Sequence, residues 1–183
     1  AAKRIERLLP RRRADRRADR SQGKNLARVI AEDAVSVERR GKVRLPVGMD
    51  GTLVLVPDFR QVRERFTFEG GPEQPAALVR RLAKGASAAR TPIETTGLGR
   101  LEEAVRRADK IVFLCFEARR FPGQAAVLKL LYQKASDRTA TVLIRSSWDL
   151  DLCPEDMTVV DARGYRLASL EAGRREGRLW VAV

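Results

Sequence analysis

The feature that most constrains this chain is a series of short, unbroken apolar runs separated by segments of helical period. Thr52-Leu53-Val54-Leu55-Val56 ends on Pro57, and Ile111-Val112-Phe113-Leu114-Cys115-Phe116 is the clearest run. Ala140-Thr141-Val142-Leu143-Ile144 and the shorter Met157-Thr158-Val159-Val160 follow. Aliphatic and β-branched runs without polar alternation fit strands covered on both faces, as in a parallel sheet.

The segments between them repeat with the period of a helix. Residues 73–86 carry Ala77, Leu78, Arg81 and Leu82 on that period, and residues 98–108 carry Leu101, Ala104, Val105 and Ala108. Residues 123–136 do the same through Val127, Leu128, Leu130, Leu131 and Tyr132. Upstream, Ser21 is placed to cap a helix over 22–38, with Leu26, Val29, Ile30, Ala34 and Val37 on one face. Gly41 ends it, and Leu45-Pro46-Val47 reads as a short extended piece. A weaker strand is expected at 91–95, a helix near 167–173, and a closing edge strand over 178–183. Strand alternating with helix through short connections predicts an α/β fold, a three-layer sandwich. Its sheet should be mostly parallel, with five to six strands, helices on both faces and an antiparallel edge strand at the C-terminus. The expected organisation is a basic lead-in over 1–21 and one α/β domain over 22–183.

Composition narrows the chemistry. Histidine is absent from all 183 residues, which removes the commonest general base and the commonest metal ligand together. Two cysteines, Cys115 and Cys153, are too few for a four-ligand zinc site. Cys115 lies within an apolar run and reads as a small buried hydrophobe, while a disulfide between the two is left open. No glycine-rich phosphate loop of the G-x-G-x-x-G or G-x-x-x-x-G-K-[ST] kind occurs, and the first strand is followed by Val56-Pro57-Asp58-Phe59-Arg60 instead. Ser146 and Ser147 follow a buried run but have no histidine to activate them. No cofactor and no metal are expected.

The formal charge is +13. Nine Lys or Arg against Glu6, Asp15 and Asp19 place +6 of it in the first twenty residues, leaving +7 for the other 163. That distribution argues against a nucleic-acid groove across the folded body. It leaves a second reading open, an independent binding module with a basic arm for nucleic acid or another polyanion. Thirty arginines to seven lysines read as genome composition. No run is long enough to cross a membrane, and the compartment stays open between cytoplasm and export. The start Ala1-Ala2-Lys3-Arg4, without methionine, reads as part of a longer polypeptide.

In a doubly wound sheet, ligands meet the carboxyl ends of strands. Those ends are expected at Pro57–Arg60, Glu117–Phe121, Arg145–Asp149 and Asp161–Tyr165. Glu117, Asp149 and Asp161 are carboxylates there. A pair such as Glu117 and Asp149 could in principle flank a glycosidic bond.

From the strand at 111–116 onward, the sequence resembles the C-terminal α/β sandwich domain of family 3 glycoside hydrolases. The resemblance rests on Ala108-Asp109 leading into Ile111-Val112, on Phe121-Pro122-Gly123-Gln124 opening a helix, and on Arg145-Ser146-Ser147-Trp148-Asp149 ending a strand. Pro154-Glu155, Asp161-Ala162-Arg163-Gly164-Tyr165 and Gly177-Arg178-Leu179-Trp180-Val181 continue it in order, with tryptophan where the family has proline. Leu26 through Val37, Leu45-Pro46-Val47 and Thr52–Pro57 resemble the family's entry into this domain, so the match spans about 22–183.

The resemblance implies a nucleophilic aspartate on an N-terminal barrel that precedes this domain. It also implies an acid/base that is either a histidine–aspartate pair on that barrel or a glutamate on a long loop of the C-terminal domain. The corresponding segment here is only Glu117-Ala118-Arg119-Arg120-Phe121, which fits the β-N-acetylhexosaminidase-like branch. Glu117 is the one residue that could stand in for the acid, but a strand-end carboxylate paired with Arg119 or Arg120 is the preferred reading of it. Arg119, Arg145, Asp149 and Arg163 are candidate residues of a substrate entrance. The implied partners are the barrel of the same protein and, through it, a carbohydrate substrate, with no membrane.

Overall fold

The computed structural model describes residues 25, 26, 29, 30, 33–65 and 85–163. Six strands form one sheet in the order β1-β6-β5-β4-β2-β3. They are β1 (Ser36–Arg39), β2 (Thr52–Pro57), β3 (Ser87–Thr91), β4 (Lys110–Cys115), β5 (Thr139–Leu143) and β6 (Thr158–Asp161). Every pairing is parallel except that of β1 with β6. Among the described residues, three helices with defined bounds accompany them: α1 (Phe59–Arg65), α2 (Leu98–Arg107) and α3 (Pro122–Ala135). Short 3-10 turns occupy Ser136–Arg138 and Ser147–Leu152.

The apolar runs are continuous because each strand is covered on both sides. Side chains alternate across a strand, so Ile111, Phe113 and Cys115 of β4 pack with Leu101 and Val105 of α2 and Val127, Leu128 and Leu131 of α3. Val112 and Leu114 point the other way, beside Phe59 and Val62 of α1 and Val54, Val56, Val142 and Val160. The helix layer changes side where the strand order reverses. The segment after β2 places α1 on one face, whereas α2 and α3 cover the other. A constant crossover hand requires that exchange, and it puts the switch point between β2 and β4.

The expected three-layer α/β fold with a mostly parallel sheet is present, and four differences in detail have physical causes. Ser36–Arg39 is strand, not the end of a helix over 22–38; Asn25, Leu26, Val29, Ile30, Asp33 and Ala34 are helical, and the chain leaves the helix at Val35. Pairing decides this, because Val37 against Val160 and Ser36 against Asp161 satisfy the otherwise open edge of β6. The antiparallel edge strand within the described residues is therefore near the start of the chain. The strand expected at 178–183 and the helix at 167–173 lie outside the described residues, as does most of the helix expected over 73–86. The weak strand at 91–95 is displaced to 87–91, where Leu53 to Pro57 offer a full parallel partner. Phe59–Arg65 is helical where only a turn was anticipated, since Phe59 and Val62 bury against the sheet.

Close approach of backbone requires glycine at Gly41, against Asp156–Thr158, and at Gly123. The backbone N–H of Gly123 donates to the carbonyl of Ile93 at 2.8 Å, and a Cβ there would lie 2.3 Å from the Glu94 carbonyl oxygen and 2.5 Å from Ile93 C. At Gly99, near the start of α2, a Cβ meets nothing within 4 Å. Gly123→Ala should therefore lower unfolding stability by several kcal/mol, on the order of the strongest single-site effects. Gly99→Ala should raise it by up to about 1 kcal/mol through helix propensity. Urea denaturation of both variants checks the contrast, and equal effects would refute the packing assigned to the start of α3.

Candidate functional site

The carboxyl ends of β4 and β5 are tied together by one carboxylate. Asp149, in the 3-10 turn after β5, is 1% exposed. Its Oδ2 accepts the backbone N–H of Ala118 at 2.7 Å and its Oδ1 that of Arg119 at 3.1 Å. Arg119 returns the connection, its Nε donating to the Trp148 carbonyl at 2.9 Å and its Nη2 reaching Asp151 at 2.7 Å. The two loops thus form one rigid unit. Asp149, offered by sequence as an entrance residue, is turned inward with both oxygens engaged, and what it presents outward is the ordered backbone it holds.

Glu117 opens the β4 loop with a backbone φ of 45°. That left-handed conformation is unfavourable for a side chain bearing a Cβ, by about 1–2 kcal/mol. It lets the Glu117 carbonyl accept N–H groups from both Arg120 and Phe121 at 2.9 Å. The Glu117 carboxylate lies 3.3 Å from Arg145 Nε and 3.9 Å from Arg120 Nη1. Arg145 also lies over the Phe116 ring, 5.8 Å from its centroid. Beneath sits an aromatic floor, with Phe116 stacked on Phe121 at 5.6 Å and edge-on to Phe59 at 5.4 Å.

The structure therefore brings Glu117, Arg119, Arg145 and Asp149 together at adjacent strand ends. Arg163 stands at the end of β6, also in the left-handed region at φ 46°. It is held by Asp161, whose Oδ1 accepts the Arg163 N–H at 2.8 Å and whose Oδ2 lies 3.4 Å from Nε. The two non-glycine residues of positive φ among the described residues thus both sit at the carboxyl edge, where strain often accompanies function. Trp148 adds an indole that is 78% exposed.

Gln124 is a positioning residue that the sequence showed only as one letter of a matched motif. Fully buried, it accepts the Phe116 N–H at 3.3 Å and donates to Thr91 Oγ1 at 2.8 Å and the Pro92 carbonyl at 3.0 Å. It locks the ends of β3 and β4 to the start of α3. A polar residue at an inward position of a helix was the available signal. Among the described residues, no group of three or more His, Cys, Asp or Glu is placed to hold a metal ion.

Both cysteines are buried free thiols. Burial, reinforced by the Asp149 charge and by Cys153, pushes Cys115 well above the usual thiol range. Burial pushes Cys153 up to about 12, against the opposing influence of Arg39 and with Asp149 adding to the rise.

No family model matches the sequence, and no curated protein matches it. Solved structures do match. A family 3 glycoside hydrolase β-N-acetylglucosaminidase from Paenibacillus sp. str. FPU-7 aligns with TM-score 0.63 and 17% identity, over 82% of this chain and 29% of that one. The β-N-acetylglucosaminidase of Thermotoga maritima aligns at 0.55 and 17%, over 82% and 31%. A β-glucosidase of Listeria innocua, in complex with isofagomine, aligns at 0.57 and 13%, over 94% and 28%. The chain therefore has the fold of one domain of such enzymes and spans under a third of their length.

Two outcomes follow from this arrangement. Asp149→Asn should destabilise the chain by about 1.5–3 kcal/mol, since it weakens two charge-assisted hydrogen bonds in a buried setting. Chemical denaturation checks this, and an unchanged midpoint would contradict the clamp. An unfolded thiol ionises near about 8.5, whereas folded Cys153 does so at about 12. The buried thiols thus leave stability undiminished below the lower value, and stability falls as pH rises through that window. At mildly alkaline pH, Ellman's reagent should label neither thiol in the native chain and both after denaturation. Prompt native labelling would contradict their burial.

Proposed function

We propose that this chain is the non-catalytic C-terminal accessory domain of a family 3 glycoside hydrolase acting on β-N-acetylhexosaminides. In this reading it packs on a catalytic barrel of the same protein and lends its carboxyl edge to the substrate entrance. The observation that carries the reading is the joint one of fold and loop. The alignments with N-acetylglucosaminidases cover more than four-fifths of this chain, while the β4 loop is a five-residue turn already closed by its own hydrogen bonds.

Chemistry supports the same assignment. Retaining hydrolysis requires a nucleophile and an acid about 5–5.5 Å apart on either side of a glycosidic bond. Here Asp149 spends both oxygens on backbone N–H groups, and Glu117 is engaged by two guanidinium groups. Neither is free to serve as half of such a pair. What the edge does offer is Arg119, Arg145 and Arg163, each more than a third exposed. These are hydrogen-bond donors suited to sugar hydroxyl and acetamido oxygens.

The test uses the complete gene product beside this chain. An aryl N-acetyl-β-glucosaminide should be hydrolysed by the former and left intact by the latter. Within the complete enzyme, Arg145→Ala should raise KM by roughly tenfold with little change in kcat, the signature of lost ground-state binding. A complete product with no barrel ahead of Ala1, or turnover by this chain alone, would overturn the proposal.

A further inference from the structure

The carboxyl edge of the sheet is filled by its own ion pairs, whereas open space lies toward the opposite edge. A cavity of about 450 Å³ between α2 and α3 is walled by Glu102, Glu103, Val105, Arg106, Lys134 and Arg138, among others. Arg138 also walls a second cavity of about 300 Å³, where Arg44 and Lys110 are balanced by Asp109 and Asp137.

Most cations here have an evident structural reason. The carboxyl end of a helix carries partial negative charge and attracts them, and Arg106 and Arg107 stand in the last turn of α2, Lys134 in that of α3. Arg106 and Arg107 both pair with Glu103. Arg138 differs. It ends the 3-10 turn after α3, and its Nε is sealed from solvent with no acceptor in reach among the described residues. It forms no ion pair among the described residues. A guanidinium cannot shed its charge, and buried donors without acceptors are rare in folded proteins. The helix ends explain a cation at this edge but not a guanidinium nitrogen withdrawn from water.

We propose that Arg138, assisted by Lys134, binds the oxyanion group of a small ligand, a phosphoryl or carboxylate group, in the cavity between α2 and α3. The planar guanidinium fork matches two oxygens of such a group, and the Lys134 ammonium adds a point charge. Three cations on the wall (Arg106, Lys134, Arg138) face two carboxylates (Glu102, Glu103), and Glu103 is already neutralised by its two arginines. Glu102 accepts hydrogen bonds from ligand hydroxyls, which favours a hydroxyl-bearing ligand over a bare ion. The volume falls in the range of about 300–1,000 Å³ usual for small-molecule sites. This site is remote from the carboxyl edge, so it stands or falls independently of the glycosidase reading.

The test follows the backbone amide resonances of residues 134–139 in the isotopically labelled chain by NMR, a reporter that the Arg138 variants keep. Glucose 6-phosphate, inorganic phosphate, citrate and uncharged glucose are titrated in turn at constant ionic strength. A saturable shift is expected with glucose 6-phosphate and none with glucose. The phosphate and citrate arms decide between phosphoryl and carboxylate chemistry. Arg138→Gln should abolish saturation with an unchanged unfolding midpoint, and Arg138→Lys should weaken it about tenfold, as expected for losing a two-pronged contact. Should Arg138→Gln fail to fold, Lys134→Gln serves in its place and should also weaken binding. Absence of a saturable shift with every anion overturns the proposal. An undiminished response in the folded Arg138 or Lys134 variants overturns it equally.

Discussion

Four parallel strands buried on both faces leave this chain little choice about where its polar groups go. Every described residue of β2, β5 and β6 is buried, and β4 is buried from its second residue onward. Backbone hydrogen bonds are spent within the sheet, so charge and irregular backbone are expelled to its two ends. The carboxyl end then has to be stabilised without water, and Asp149 does this for two adjacent loops at once. Because that carboxylate fixes the backbone of Ala118 and Arg119, the strained Glu117 and the guanidinium groups around it occupy defined positions. Packing comes first, and the order of the rim follows from it.

The same constraint supports the proposal that this edge is a surface for recognition. Its carboxylates are consumed by structure: Asp149 by backbone N–H groups, Asp161 by Arg163, and Glu117 by Arg120 and Arg145. Its arginines Arg119, Arg145 and Arg163 keep substantial exposure beside their carboxylate partners. An edge that retains donors but has committed its acids can position a substrate more readily than cleave one. Buried Gln124 supports this economy from beneath, holding three strand and helix ends without placing a charge in the core.

Much of this was legible in the sequence, for a definable reason. A strand covered on both faces has only one way to be written, so Ile111–Cys115 and Thr139–Leu143 could be located to within a residue, along with α2 and α3. Ser36–Arg39 could not, because Val37 falls on a helical face and on a strand face equally, and only the unpaired edge of β6 decides between them. The helix at Phe59–Arg65 was hidden by its charged residues, although Phe59 and Val62 are buried against the sheet. At the rim, sequence named the right strand ends but not the direction in which side chains turn. Asp149 is indistinguishable from an exposed carboxylate until the loop opposite it is in place. The orphaned Nε of Arg138 depends on three-dimensional enclosure and leaves no trace in the residue pattern.

The central claim is that the carboxyl edge faces a catalytic partner within the same polypeptide. Amide hydrogen exchange, compared between this chain and the complete gene product, tests it most directly. Segments 117–121 and 145–151 should exchange more slowly in the complete product, while the exposed turns at the opposite edge of the sheet keep their rates. Equal exchange of both rim segments in the two proteins would contradict the account.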